Sequence, residues 1–311
     1  MYNVFAWLYM EPGTWNLEPK SEDFMTRFLG IIGGSGLYEM EGLENIDTVK
    51  ISTPFGDPSD GIITGTLDGM KMAFLPRHGK GHRITPSEIN YRANIWALKS
   101  IGVDTVIAVS AVGSMKDEIV PGDLVVPHQF IDRTKGRPST FFGGGIVGHV
   151  AFADPVCHAL ADVLAKGAGT TGARVHQGGT YICMEGPQFS TRAESNLYRT
   201  WGVDVIGMTN IPEAKLAREA ELCYSTVALA TDYDCWHEDE EDVSVEAILE
   251  IMHKNVENAK KAIAWAARNM GEKAACGCGE ALKFAIVTDP SMIGDEVKKK
   301  LEPIIGKYVK G

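Results

Sequence analysis

Short apolar runs alternate along the chain with segments whose apolar residues return every three or four positions. Phe28–Ile32, Thr105–Ala111, Gly179–Met184, Val203–Met208 and Ser225–Ala230 contain few polar residues and read as buried strands. Ile62–Leu67 and Lys71–Leu75 flank Asp68-Gly69, the pattern of a β-hairpin. The longer period predicts helices. Ile89, Ala93, Trp96 and Ala97 share one face over Ser87–Ser100. Asp154-Pro155 reads as an N-cap with proline at the first helical position, followed by the stripe Val156, Leu160, Val163 and Leu164. Thr191 to Glu194 has the form of a capping box. Ser244 opens a long helix carrying Val245, Ile248, Leu249, Met252, Val256, Ala259 and Ile263 at helical spacing, and a last helix is expected after Asp289-Pro290. Strands alternating with helices predict an α/β domain with a substantial central sheet.

The ends of the chain depart from that pattern. Met1–Met10 is apolar and aromatic, but the first basic residue is Lys20 and Glu11-Pro12-Gly13 closes the run without a small-residue cleavage site, so a secretory leader is not expected. Residues 1–27 read as an irregular arm, with Met25 an alternative start and an engineered tag the less favoured explanation. Residues 28–311 read as one domain ending in a helical tail over 271–311.

Composition narrows the class. At 44% hydrophobic and 23% charged residues the chain can build an ordinary core, which excludes wholesale disorder, collagen and coiled coil. Lys and Arg number 30 against 41 Asp and Glu, a net charge of −11 that repels nucleic acid and anionic membranes. No run approaches the roughly 20 apolar residues of a membrane span. Six cysteines do not make a disulfide scaffold in 311 residues. Cys157, Cys183, Cys223 and Cys235 sit in apolar surroundings and are expected to be reduced core residues. Cys276-Gly277-Cys278 could be a redox clip, but a single CxC pair without further Cys or His at ligand spacing is weak evidence for one, and an ordinary exposed pair is the favoured reading. A reducing cytoplasm fits this usage.

Several segments could carry chemistry. Gly33-Gly34-Ser35-Gly36 follows a strand and could cradle an anion or be a plain turn. It is not a dinucleotide fingerprint, because Glu39 stands where the third glycine belongs, nor a nucleophile elbow, because Leu37 stands where glycine is required. Arg77 to Arg83 places five cationic or protonatable residues in seven, a local basicity suited to a small anion. His78 and His82 are four apart, but the glycines between them disfavour a helical metal pair. Ser110-Ala111-Val112-Gly113 ends a buried strand in small residues, leaving room for a ligand. Glu185 to Ser190 supplies a carboxylate, a phenyl ring and a hydroxyl; Met208-Thr209 ends another strand. Asp232 and Asp234 end a strongly apolar strand, so at least one should be partly desolvated with a raised pKa, as a proton donor requires. Turn-capping aspartates are the ordinary alternative. Glu238–Asp242 reads as a solvated acidic face.

In this order the segments GIIGGSGLY, TPFGDPSD, LPRHGKGHRITPSEINYRANIWALK, PGDLVVPHQFIDRT, EGPQFSTRAES, MTNIPEAKLAREAELCY and ATDYDCW resemble the S-methyl-5′-thioadenosine phosphorylases of the trimeric purine nucleoside phosphorylase superfamily, over roughly residues 28–265. The resemblance implies a single α/β domain with a mixed, twisted, partly barrel-like sheet flanked by helices, and a homotrimer. It implies a phosphate site from Ser35, Arg77, His78, Ser110, Ala111 and Thr209. It places Met208 under the ribose, Gly113, Phe189 and Ser190 around the purine, Asp232 and Asp234 on the base edge as the catalytic pair, and His82 and His149 around the sugar and the 5′ group. Val245, Ile248 and Leu249 would form the 5′-alkylthio pocket. The expected reaction is phosphorolysis of methylthioadenosine to adenine and 5-methylthioribose 1-phosphate, a pentosyl transfer of purine and methionine salvage, with inorganic phosphate as co-substrate and no cofactor or metal. Methylthioinosine, 5′-deoxyadenosine, adenosine or inosine are the alternative substrates. A nucleosidase would dispense with the basic cluster, and a nucleoside-binding protein would need no phosphate site.

Overall fold

The computed structural model describes residues 27–34, 36–237, 245–271 and 276–309, with side chains from residue 250 onward in the long helix. Among them eleven strands form one sheet: β1 Phe28–Gly33, β2 Leu43–Val49, β3 Ile62–Leu67, β4 Met70–Pro76, β5 Thr105–Ser114, β6 Leu124–Val126, β7 Gln129–Arg133, β8 Val175–Gln177, β9 Thr180–Met184, β10 Val205–Gly207 and β11 Cys223–Tyr233. The helices are α1 Tyr91–Ser100, α2 His158–Gly169, α3 Arg192–Thr200, α4 Asn210–Glu219, α5 Val245–Asn269, α6 Asp295–Lys300 and α7 Glu302–Ile305.

The sheet is mixed, runs β2-β3-β4-β1-β5-β10-β9-β7, and branches at β5, where β11, β6 and β8 follow on the other side. No pairing among the described residues closes it into a barrel. β5 is long enough for three partners. β11 pairs along its whole length on one edge, from Cys223 opposite Thr105 to Tyr233 opposite Ser114. On the other edge parallel β1 stops at Ala108, and antiparallel β10 resumes only at Gly113 and Ser114. Between them, Val109–Val112 is left without a strand on that edge, and β11 shifts register between Ala230 and Asp232 alongside. Ligands in open α/β sheets collect where neighbouring strands part at their carboxyl ends.

Both faces of the sheet are covered, which is why its central strands lack a polar side. Val106, Ala108 and Val112 join one apolar cluster with α1, α4 and the C-terminal segment. Ile107 and Val109 join another beneath α2 and α5. The expected hairpin forms between β3 and β4, with Asp68 and Gly69 at φ 49° and 84°, the left-handed pair that a two-residue turn requires. The capping box at Thr191 forms and starts α3.

Helix starts differ from expectation where side chains choose the cap. α1 begins after Asn90, whose side-chain Oδ1 accepts from the Ala93 N–H, not at Ser87. α2 begins after Cys157, three residues past Asp154. The expected terminal helix is a 3₁₀ turn at Pro290–Met292 followed by α6 and α7. That tail is part of the core: Leu282, Ile293, Leu301, Ile304 and Ile305 are buried against it, and the Trp96 indole donates to the Lys300 carbonyl. The arm expected over 1–27, apart from Arg27, and the acidic run 238–242 lie outside the described residues.

Candidate active site

A cavity of about 760 Å³ opens where β1 and β10 part from β5. Arg77 and His78, just past β4, line it with His82, Ser110 and Ala111 of β5, and Thr209 after β10. Gly113, Phe189, Met208, Asp232 and Asp234 line it as well. Five chain segments expected to share a site thus meet in one hollow. Ser35, Val245, Ile248 and Leu249 lie outside the residues whose side chains are described, but Met252 and Val256, which continue their helical stripe at i+4, form an apolar part of the wall.

At one end hydroxyls converge. Ser110 Oγ lies 3.2 Å from the Tyr181 hydroxyl and 3.3 Å from Thr209 Oγ1. Thr209 is the N-cap of α4 but makes no side-chain cap bond, so its hydroxyl is turned to this group. Gly207 makes room for the tyrosine: a Cβ there would lie 1.9 Å from the Tyr181 hydroxyl oxygen. Burial raises the Tyr181 pKa, so the phenol stays protonated and can donate.

Arg77 differs from the exposed fork expected for an anion. It is 2% exposed, and its Nε and Nη2 donate to the two Glu213 oxygens at 2.8 and 2.9 Å. Nη1 donates to the Val109 carbonyl at 2.8 Å and Nη2 also to the Ile32 carbonyl at 3.1 Å. The guanidinium therefore sits at the split between β1 and β5, bonding the Ile32 and Val109 carbonyls where the pairing of these two strands ends. Burial alone would push its pKa down; the Glu213 carboxylate overcomes this and holds it above the ordinary value. Among the described residues four of its five N–H groups find partners, and one on Nη1 does not.

His78 stacks on His82 with ring centroids 4.2 Å apart. Its Nδ1 lies 2.8 Å from the Ile84 carbonyl, which fixes the proton on Nδ1 and leaves Nε2 as an acceptor in the neutral ring. Burial, with help from the Arg77 and His82 charges, pulls its pKa down to about 4. The unfolded chain thus takes the proton before the folded one, so this histidine stabilises the fold fully above about pH 6.5 and progressively less as pH falls towards 4. We expect the thermal midpoint to fall over that window less steeply in His78→Gln than in the wild type. Parallel curves would show that His78 is not held neutral.

Two carboxylates line the cavity beside Gly113, three residues along β5 from Ser110. The register shift at Thr231 sets Asp232 against Gly113, where a Cβ would come within 3.2 Å of Asp232 Oδ1. Thr231 Oγ1 donates to Asp232 Oδ2 at 2.7 Å. Asp234 is buried, with Ser190 Oγ donating to its Oδ2 at 2.7 Å. Ser190 is therefore an anchor for Asp234, its hydroxyl already engaged, and does not line the cavity. Phe189 stands at the mouth with 82% of its surface exposed.

His149 is not brought to this cavity. Its N–H donates to the Ala285 carbonyl, and the adjoining Gly148 bridges Ile286, which ties that segment to the C-terminal tail. Cys157 and Cys223 are free and buried, as expected, but the sequence did not show that their Sγ atoms and those of Cys276 and Cys278 all lie within 4.8 Å of one another. Spacing could not reveal this: Cys223 is 53 residues from Cys276.

The sequence also left residues unassigned. Glu213, given no role from the sequence, is 1% exposed and also accepts from the Tyr224 hydroxyl. Arg137 is buried and donates to the carbonyls of Met208, Ile211 and Glu185 and to the Glu185 carboxylate, fixing the loops around Met208. Neither carried a signal beyond its charge: Glu213 stands between Pro212 and Ala214, and Arg137 in the polar run Thr134 to Thr140.

An open α/β sheet whose one cavity is lined by a hydroxyl cluster, a buried guanidinium and a carboxylate pair has the parts of a group-transfer enzyme. The sequence profile described as "Phosphorylase superfamily" matches residues 28–267, and the chain belongs to that family. It is 60% identical over 286 residues to S-methyl-5′-thioadenosine phosphorylase of Geobacter sulfurreducens, covering 92% of this chain and 100% of that one. The enzyme of the same name from Koribacter versatilis is 56% identical over 90% of this chain and 96% of its own. Among solved structures, methylthioadenosine phosphorylase from an antarctic soil metagenomic library superposes with a TM-score of 0.87 at 49% identity, covering 90% of this chain and 99% of that one. Methylthioadenosine phosphorylase from Schistosoma mansoni in complex with adenine gives 0.76 at 38%, covering 82% and 96%.

Proposed function

We propose that this chain is an S-methyl-5′-thioadenosine phosphorylase, cleaving methylthioadenosine with phosphate to adenine and 5-methylthioribose 1-phosphate. The observation that carries it is one cavity lined by the hydroxyls of Ser110 and Thr209, by Arg77 and His78, and by Asp232 and Asp234, in a chain 60% identical to an enzyme of that name.

Phosphate is bound by the hydroxyls of Ser110 and Thr209, the Ala111 edge, the spare Nη1 proton of Arg77, and Ser35 from the glycine loop. Neutral His78 accepts the phosphate's own hydroxyl hydrogen at Nε2. The base lies between Phe189 and Gly113, the ribose over Met208 near His82, and the methylthio group against Met252 and Val256, with Val245, Ile248 and Leu249 extending that wall. In the reaction the C1′–N9 bond breaks as a phosphate oxygen bonds to C1′. The N9 electron pair passes into the purine, and Asp232 delivers a proton at N7. Holding both reactants together supplies much of the rate, and the phosphate charge stabilises the cationic sugar. Two carboxylates accept from a 6-amino group and repel a 6-oxo one, which selects adenine. No cofactor or metal takes part in this chemistry. The enzyme works as a homotrimer in the cytoplasm, in purine and methionine salvage.

The test is adenine release from methylthioadenosine with and without phosphate. We expect omission of phosphate to slow release about a hundredfold or more, with methylthioadenosine far preferred over inosine in kcat/KM. Equal release without phosphate would identify a nucleosidase, and comparable inosine turnover would overturn the aminopurine assignment.

A further inference from the structure

The four cysteines form a second built site, away from the catalytic cavity. Cys157 is the N-cap of α2, Cys223 opens β11, and Cys276 and Cys278 flank Gly277 where the chain returns after α5. None of them lines the catalytic cavity. Cys157, Cys223 and Cys278 are 3%, 7% and 5% exposed, and Cys276 is half-buried. All four Sγ atoms lie within 4.8 Å of one another, and Cys223 Sγ is 3.4 Å from Cys276 Sγ.

We propose that this cluster binds one Zn²⁺ per chain as a closed structural tetrathiolate site. Zinc–sulfur bonds of about 2.3 Å in a tetrahedron set the sulfurs about 3.8 Å apart, within the spread seen here. Convergence of all four sulfurs on one centre is what a single ion requires. Two disulfides would require only two close pairs, with no reason for the pairs to meet. The donor set is wholly soft sulfur, which selects a thiophilic ion over magnesium or calcium. Four thiolates around Zn²⁺ leave a charge of 2−, and two features offset it. The Arg218 guanidinium donates to Cys278 Sγ at 3.8 Å while its other nitrogen holds the Asp154 carbonyl, and the α2 N-terminus at Cys157 favours negative charge. With no open ligand position and no contact with substrate, the ion clamps the C-terminal segment to β11 and α2.

The experiment is metal analysis of the full chain purified without chelator, with thiol titration after unfolding. About one equivalent of zinc is expected, released by a thiol-blocking mercurial. Cys276→Ser and Cys278→Ser should lower it at least tenfold, whereas Cys235→Ser should retain it. Wild-type protein reconstituted with Co²⁺ should show the thiolate-to-cobalt charge-transfer and tetrahedral d–d absorption of an S₄ site, a reading independent of how the variants fold. Less than about a tenth of an equivalent with six free thiols, and no cobalt spectrum, would overturn the site. An intact mass lower by two hydrogens per bridge, with these sulfurs paired, would replace it with a disulfide clip.

Discussion

Asp232→Asn is expected to lower kcat by about 10²–10⁴-fold, the range that a positioned proton donor contributes, with little change in KM for methylthioadenosine. The side chain is held for this task by the backbone. The shift in register at Thr231 turns Asp232 towards Gly113, and only glycine there leaves its Oδ1 uncrowded. Thr231 Oγ1 holds Oδ2, so the carboxyl has one defined orientation. Asparagine keeps the shape and can still donate a hydrogen bond to N7, so binding survives. It cannot transfer a proton as the glycosidic bond breaks, so the loss falls on the chemical step. Steady-state kinetics at saturating phosphate make the distinction. A kcat within about threefold of wild type would remove Asp232 from the acid role and direct attention to Asp234.

Glu213→Gln is expected to destabilise the fold by about 3–5 kcal/mol, because it leaves the Arg77 guanidinium buried without its counter-charge. Both partners are essentially excluded from solvent, at 2% and 1% exposure, and are joined by two hydrogen bonds. The remaining Arg77 contacts are carbonyls, which satisfy N–H groups but do not neutralise the charge. Replacing both residues, Arg77→Met with Glu213→Met, should recover much of the loss, since an apolar pair leaves no charge stranded. Urea denaturation of the three proteins completes the comparison. A Glu213→Gln loss below about 1 kcal/mol would mean that the pair is solvated. The double variant should still bind phosphate poorly, because the positive charge at that end of the cavity is gone.

Much of the fold was legible. β1, β3, β4 and the hairpin turn follow local rules, as does the capping box of α3, because strand period, turn chemistry and cap bonds act over a few residues. β5 and β11 were found but cut short at Ala111 and Ala230, since Gly113-Ser114 and Thr231-Asp232 are polar or small where the strands enter the site. β2 was missed because the edge strand Leu43–Val49 is mostly polar and exposed. Residues of the catalytic hollow were visible as separate motifs, but their partners were not. Arg77 and Glu213 stand 136 residues apart, and nothing near either says that the fork faces a carboxylate and not an anion.

The amino-acid order alone determined an α/β domain, its principal strands and helices, and the residue types able to handle phosphate and an aminopurine, because each rests on near neighbours in the chain. The tertiary structure decided where β1 leaves β5 and β10 rejoins it, which guanidinium closes that gap, and which four thiols meet. Those depend on contacts between segments far apart in sequence, where burial and the pairing of charges and carbonyls select one partner among many that local pattern treats alike.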